Sequence, residues 1–371
     1  MKIGFLINPV AGMGGKVALK GTDGEDILRR AIELGAVPAA NGRAKAALAV
    51  FREASSGHCF YAPAGEMGGK LLFESGPEPV IICDPAEKTT ADDTKKAVSI
   101  MLEAGVEAIV FVGGDGTARD ICSVVGDKIP VIGIPAGVKI HSAVYAKRPK
   151  DAGMLVKNLL LGKVKRFTLA EVMDLDEDAF RNNVVRARLY GYMKVPDDRE
   201  FMQDRKSGSS LSDDSERLDI AAYVIKNMHE DEIYLIGSGS TTYSIKESVG
   251  TEGTLLGVDA VVNRAFTGKD MTESEIRNAL SGFEKNKRHL VITVIGGQGH
   301  IFGRGNQQLS PDVIRMIPRE NITVIANASK MAALFGKSLI ADTGDPVLDE
   351  ELKGYIPVIT GFGKKVMLKV G

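Results

Sequence analysis

The sequence predicts an α/β protein, with an N-terminal parallel-sheet, Rossmann-like domain and a second, β-rich domain. Three observations predict it. In the first third, short continuous apolar runs alternate with helical patterns, as parallel strands covered by helices on both faces do. Glycine-rich loops follow those strands directly, where open parallel sheets put their ligand loops. From residue 167 onward the strand candidates alternate apolar and polar residues instead, which suits an antiparallel or mixed sheet.

The 371 residues exceed the needs of one small core and suit two domains. Residues 3–7, 80–83, 108–112 and 131–134 read as strands, and 92–104 as a helix. A basic stretch, Lys147-Arg148-Pro149-Lys150, leads into a helix at 151–161, after which the pattern changes. That change places a boundary near Arg166, so that residues 1–165 form one α/β domain and 166–290 the β-rich domain. Strands are expected at 184–190 and 233–236. The polar stretch 197–216, containing Lys206-Ser207-Gly208-Ser209-Ser210, reads as a mobile loop leading into a helix at 216–228. Residues 291–371 return to strand-helix alternation, with strands at 290–295 and 322–325 and a helix at 329–335. They are expected to form an α/β segment packed on one of the other two domains.

Composition excludes several classes. Hydrophobic residues at 44% and charged residues at 26% are ordinary globular values. Lys plus Arg (47) nearly balance Asp plus Glu (48), and no basic stretch is interleaved with aromatics, so no nucleic-acid partner is expected. No apolar run approaches the roughly 20 residues that span a bilayer, so no membrane partner is expected either. The first residues run from a core strand into a glycine turn rather than a cleavage site, which points to a cytoplasmic protein. Cys59, Cys83 and Cys122 are odd in number and lack metal-ligand spacing, so they read as reduced thiols.

The chemistry concentrates in loops. Residues 108–112 are followed by Gly113-Gly114-Asp115-Gly116-Thr117 and then by a helical pattern. A strand that turns through glycines into a helix start aims backbone N–H groups and a positive dipole end at one spot, which suits phosphate. Asp115 is unwelcome beside phosphate unless it accepts a proton or binds metal, so a carboxylate there indicates chemistry as well as binding. The chain opens with Asn8-Pro9-Val10-Ala11-Gly12-Met13-Gly14-Gly15-Lys16 after its first strand. The Walker A spacing fails here, and Lys16 either meets donor phosphates or is a surface lysine on a glycine turn.

The 113–117 turn resembles that of the superfamily joining NAD kinases, diacylglycerol and sphingosine kinases and phosphofructokinases, and the Asn8 to Gly12 turn resembles the Asn-Pro-x-x-Gly turn of the same superfamily. A second motif chooses among them. Ile236-Gly237-Ser238-Gly239-Ser240-Thr241-Thr242-Tyr243 is similar to the Thr-Pro-Thr-Gly-Ser-Thr-Ala-Tyr run of NAD kinases, with Gly237 and Thr242 in place of Pro and Ala. The Asn-Glu pair of that family corresponds to Ala170-Glu171, where the Asn is missing. After the strand at 131–134, Pro135-Ala136-Gly137-Val138-Lys139-Ile140-His141-Ser142 departs from the lipid-kinase pattern at Val138, Ile140 and His141. His141 is a candidate phosphate contact or proton partner, and Lys139 is a candidate beside it. The glycine-dense run from Gly296 to Asn306 offers Arg304 for bidentate phosphate recognition. With Asp342-Thr343-Gly344-Asp345-Pro346, it resembles the C-terminal part of the ATP-NAD kinase-like proteins common in archaea and related to acetoin-operon proteins.

The resemblance implies an NAD kinase-like fold and transfer of a phosphoryl group from ATP or polyphosphate to the 2′-hydroxyl of the NAD adenosine ribose, with Mg²⁺. Asp115 is then the general base or helps to hold the metal. Gly113, Gly114, Gly116, Thr117, Asn8, Gly12 and Lys16 bind donor phosphates, while Glu171, Ser238, Gly239, Ser240, Thr241 and Tyr243 line the NAD pocket. NAD and nucleotides are the implied partners, and the family's habit implies a homo-oligomer. The alternatives are a kinase for a lipid or another small hydroxyl compound, and a non-catalytic nucleotide-binding regulator.

Overall fold

The computed structural model describes residues 1–19, 25–138, 140–175, 187–198, 200–203, 212–250, 253–295, 297–334 and 336–371. The chain forms two compact units: Met1–Met13 with Gly21–Arg205, and Gly14–Lys20 with Lys206–Gly371.

The first unit is built on a parallel sheet of five strands among the described residues, in the order β3-β2-β1-β4-β5. These are β1 (Lys2–Ile7), β2 (Cys59–Ala62), β3 (Pro79–Ile81), β4 (Ala108–Gly113) and β5 (Val131–Pro135). Strand β4, between β1 and β5, is buried along its whole length, which is why it reads as a continuous apolar run with no alternation. Its helices are α1 (Glu25–Glu33), α2 (Ala40–Phe51), α3 (Gly69–Ser75), α4 (Ala91–Glu103), α5 (Asp115–Val125) and α6 (Pro149–Leu160). A capping box starts α4, with Thr90 and Asp93 serving each other's backbone, and Pro149 occupies the first turn of α6, where its missing N–H costs nothing.

The hairpin of β6 (Phe167–Leu175) and β7 (Ala187–Pro196) belongs to this first unit, not to the second as the boundary near Arg166 requires. Its inward face carries Ala170, Val172, Met193 and Val195 into the same core as β4 and α5. Apolar-polar alternation states that one face is buried, but not against which core. Burial pushes the Cys122 thiol on α5 above its usual range, where it stays protonated. The stretch 184–186, expected as strand, and residues 204–211 of the expected mobile loop lie outside the described residues.

The second unit holds a mixed sheet in the order β10-β9-β8-β11-β13-β15-β16. Its strands are β8 (Ile233–Ile236), β9 (Asp259–Val262), β10 (Ala265–Gly268), β11 (Arg288–Thr293), β13 (Ile322–Ile325), β15 (Gly354–Gly361) and β16 (Lys364–Val370). A short pair, β12 (His300–Phe302) with β14 (Ile340–Ala341), lies outside that sheet. Strands β8, β11, β13 and β15 run parallel, and antiparallel pairs close both edges. Because β11 pairs with β8 in register Leu290 to Leu235, residues 291–371 continue the sheet that 233–262 begins. No described helix is long and apolar enough to cross a membrane.

Candidate active site

In the first unit, the loops after β1, β4 and β5 interlock at the carboxyl end of the sheet. Gly114 is the N-cap of α5 and supplies no side-chain cap, so Asp115 is the first helical residue. Glycine is required at several contacts. A Cβ on Gly113 would lie 2.5 Å from Thr117 Oγ1, and one on Gly114 would lie 3.0 Å from the Cα of Gly137. Gly12 combines φ +78° with an added Cβ only 2.0 Å from the Ala136 carbonyl oxygen, so no other residue fits. Asn8 ties the first loop to the second: its Nδ2 donates to Thr117 Oγ1 at 2.9 Å, and its Oδ1 accepts from Val10 N at 3.2 Å.

Asp115 is the charged centre of this corner and is 8% exposed. Its Oδ2 accepts the backbone N–H of His141 at 2.8 Å, and its Oδ1 accepts that of Ser142 at 3.0 Å. The His141 ring stands beside it, with Nδ1 at 3.4 Å from Oδ2. Two backbone donors fix the plane of the carboxylate and leave its remaining lone pairs for a hydroxyl proton. Such an acceptor, set at an uncapped helix start that favours phosphate, is the arrangement a phosphoryl transfer to a hydroxyl requires.

Among the described residues no three His, Cys, Asp or Glu side chains stand together as a metal site. Asp115 would contribute an oxygen to a Mg²⁺ carried in by nucleotide phosphates and water. Such an ion would neutralise charge on the phosphates.

Two supports of the corner escape sequence reasoning. Ser142 is fully buried; besides holding Asp115, its hydroxyl accepts from Met173 N at 2.9 Å and so anchors the hairpin. Tyr145, also fully buried, donates its hydroxyl to the Gly114 carbonyl and meets Phe111 edge-on at 5.3 Å. Nothing local marks Tyr145, because Val144-Tyr145-Ala146 looks like any buried run. Next to Ser142, Ala143 lines a small cavity with Thr168, Ala170, Asp198, Met202 and Gln203.

The remaining candidates of this unit divide. Ala170 is buried on the core face of β6 and also borders the small cavity, while Glu171 lies on the opposite face of the strand. Lys139 lies outside the described residues.

Lys16 is not in the unit that holds Asn8 and Gly12. It falls in the second unit, where Nζ lies 3.4 Å from Glu273 Oε2 and its carbonyl accepts the Glu273 N–H. In that unit the 237–243 loop leaves β8 and enters the helix Ser240–Val249, whose N-cap is Gly239 at φ +125°. Ser238 Oγ donates to the Gly305 carbonyl at 2.7 Å, so the glycine-dense run supports this loop from below. Asn306 in turn shapes that run, accepting from Gly303 N and donating to the Ile301 carbonyl. Arg304 is 4% exposed and lies inside the fold.

Position 237 explains a departure from the family pattern. Gly237 N–H donates to the Val291 carbonyl at 2.8 Å, a bond that proline cannot make. The substitution Gly237→Pro is expected to cost about 1–3 kcal/mol through the orphaned carbonyl. Thermal unfolding checks it, and an unchanged midpoint would contradict the account.

Loops with an uncapped helix start, close-packed glycines and one fixed carboxylate, beyond the carboxyl end of a parallel sheet, define a phosphate-handling α/β protein of the kinase type. Residues 3–164 match the ATP-NAD kinase N-terminal domain and residues 224–370 the ATP-NAD kinase C-terminal domain, together most of the chain. The chain belongs to the NAD kinase family. No curated protein and no solved structure matches it significantly.

Proposed function

We propose that the protein transfers a phosphoryl group from ATP or polyphosphate to the 2′-hydroxyl of the NAD adenosine ribose, giving NADP. The observation that carries this reading is Asp115: a buried carboxylate, oriented by the N–H groups of His141 and Ser142, at the start of α5 in a chain of this family. Asp115 accepts the proton of the attacking hydroxyl. Donor phosphates rest on the first-turn amides at Gly116 and Thr117, with Asn8 holding the Thr117 side chain in place. The loose phosphoryl transition state asks mainly for such positioning and charge stabilisation. In the second unit, Ser238, Gly239, Ser240, Thr241 and Tyr243 contact NAD.

The test crosses NAD and NADH against ATP and polyphosphate in Mg²⁺ buffer and follows NADP or NADPH. Turnover with at least one pair is expected. NAD binding by calorimetry with no phosphorylated product from any pair would replace the enzyme reading with a nucleotide-binding regulator.

A further inference from the structure

The carboxyl end of the second sheet carries polar groups that the proposed chemistry does not use. Strands β8, β11 and β13 run parallel there and end at Ile236, Thr293 and Ile325. The ten-residue helix Ser240–Val249 starts among them with no side-chain cap, because its N-cap is Gly239. The first-turn amides of Ser240, Thr241 and Thr242 therefore have no acceptor within the helix.

Thr293 presses on that helix start: a Cβ added to Gly239 would lie 2.7 Å from Thr293 Cγ2. The Thr293 hydroxyl donates to the Ile325 carbonyl at 3.1 Å and accepts from Lys330 Nζ at 2.7 Å. An ammonium group borne by the helix Ala328–Leu334 is thus held one side chain away from the uncapped amides. Two further groups at the same edge are nearly or fully buried and lack a protein partner. Thr241 Oγ1 belongs to a fully buried residue, and Asn327 Oδ1 to one that is 3% exposed. A buried amide oxygen without a donor is costly unless something supplies one.

The donors and the acceptor together describe a ligand. Uncapped amides and a lysine ask for an anion, and the Asn327 oxygen asks for a hydroxyl or amine. We infer that this edge is a sugar-phosphate subsite. A phosphate sits on the amides of residues 240–242 with Lys330 as its cation, and a hydroxyl of the same ligand donates to Asn327 Oδ1. The inference rests on the assignment of the 238–243 loop to NAD and specifies which chemical part of the ligand that loop takes. Thr293 is a positioning residue, since it orients Lys330 and does not itself reach the ligand.

The experiment is hydrogen–deuterium exchange on the full chain, titrated with ribose 5-phosphate and, separately, with inorganic pyrophosphate. Protection is expected at 240–244 and at 328–331 together, with both ligands. In Lys330→Gln the midpoint for both ligands should rise about tenfold, and Lys330→Arg should restore it to within a few-fold. Asn327→Leu should weaken ribose 5-phosphate and leave pyrophosphate unchanged, which a merely structural role would not do. Absence of protection at either segment in the parent chain overturns the subsite, even if a variant fails to fold. So does an unchanged midpoint in Lys330→Gln. No turnover is needed, so protection without NADP formation would keep the subsite and remove the kinase reading, whereas NADP formation without protection would do the reverse.

Discussion

Asp115→Asn is expected to lower NADP formation at least about a hundredfold, the size of effect that loss of a positioned general base produces. Asn matches Asp in volume and keeps one acceptor oxygen, so the 8%-exposed site neither gains a cavity nor becomes overpacked. What it loses is charge and the ability to take up a proton. It also turns an NH₂ group toward one of the two backbone donors, His141 N–H or Ser142 N–H, which now hold the carboxylate at 2.8 and 3.0 Å. A local shift of the loop after β5 is therefore a second consequence, and the two are separable. Loss of the base alone lowers kcat and leaves ADP affinity within a few-fold. Loss of the loop geometry weakens ADP binding as well, because the Gly114 and Gly137 backbones touch. If Asp115→Asn keeps turnover within a few-fold of the parent, Asp115 is not the base and the proposed mechanism fails.

The 113–117 turn is legible in sequence because its constraints are local. Strand, glycines, carboxylate and helix start are consecutive, and each residue type answers a backbone need. The same holds for β8 and β13, whose bounds at 233–236 and 322–325 follow from short apolar runs. Partners distant in sequence are a different matter. Ser142 and Tyr145 serve residues 27 and 31 positions away, and nothing in their own neighbourhood marks that role. The hairpin of β6 and β7 shows its buried face through alternation, yet the identity of the covering core depends on a chain reversal that no window of residues contains. Lys16 illustrates the converse. Its spacing after Asn8 and Gly12 suggests one common loop, but the chain passes into the second compact unit at Gly14 and spends Lys16 on Glu273.

The largest stability effect is expected in the second unit, at a pair the proposed chemistry leaves idle. Lys246 and Asp259 are both fully buried, with Nζ 3.0 Å from Oδ2. Lys246 also donates to the carbonyls of Thr254 and Gly257, and Asp259 accepts from Thr254 N, Thr254 Oγ1 and Asp270 N. Thr254 and Gly257 lie in the loop between the helix Ser240–Val249 and β9, whose Leu255 carbonyl accepts from Gly239 N–H, and Asp270 follows β10. Asp259→Ala removes the anion, leaves the ammonium buried and orphans three donors. A cost of about 3–5 kcal/mol is expected, or roughly 6–20 °C in the midpoint of the second unit. Burial of the pair has a different implication for the double variant. Lys246→Met with Asp259→Leu removes both charges and supplies apolar volume, so much of the loss should return, although Thr254 and Asp270 remain without their acceptor. Thermal unfolding of Lys246→Met, Asp259→Leu and the double variant closes the cycle. A double variant no more stable than Asp259→Ala would mean that the hydrogen bonds around Asp259, rather than its charge, hold the loop. A single variant within about 2 °C of the parent would mean that neither does.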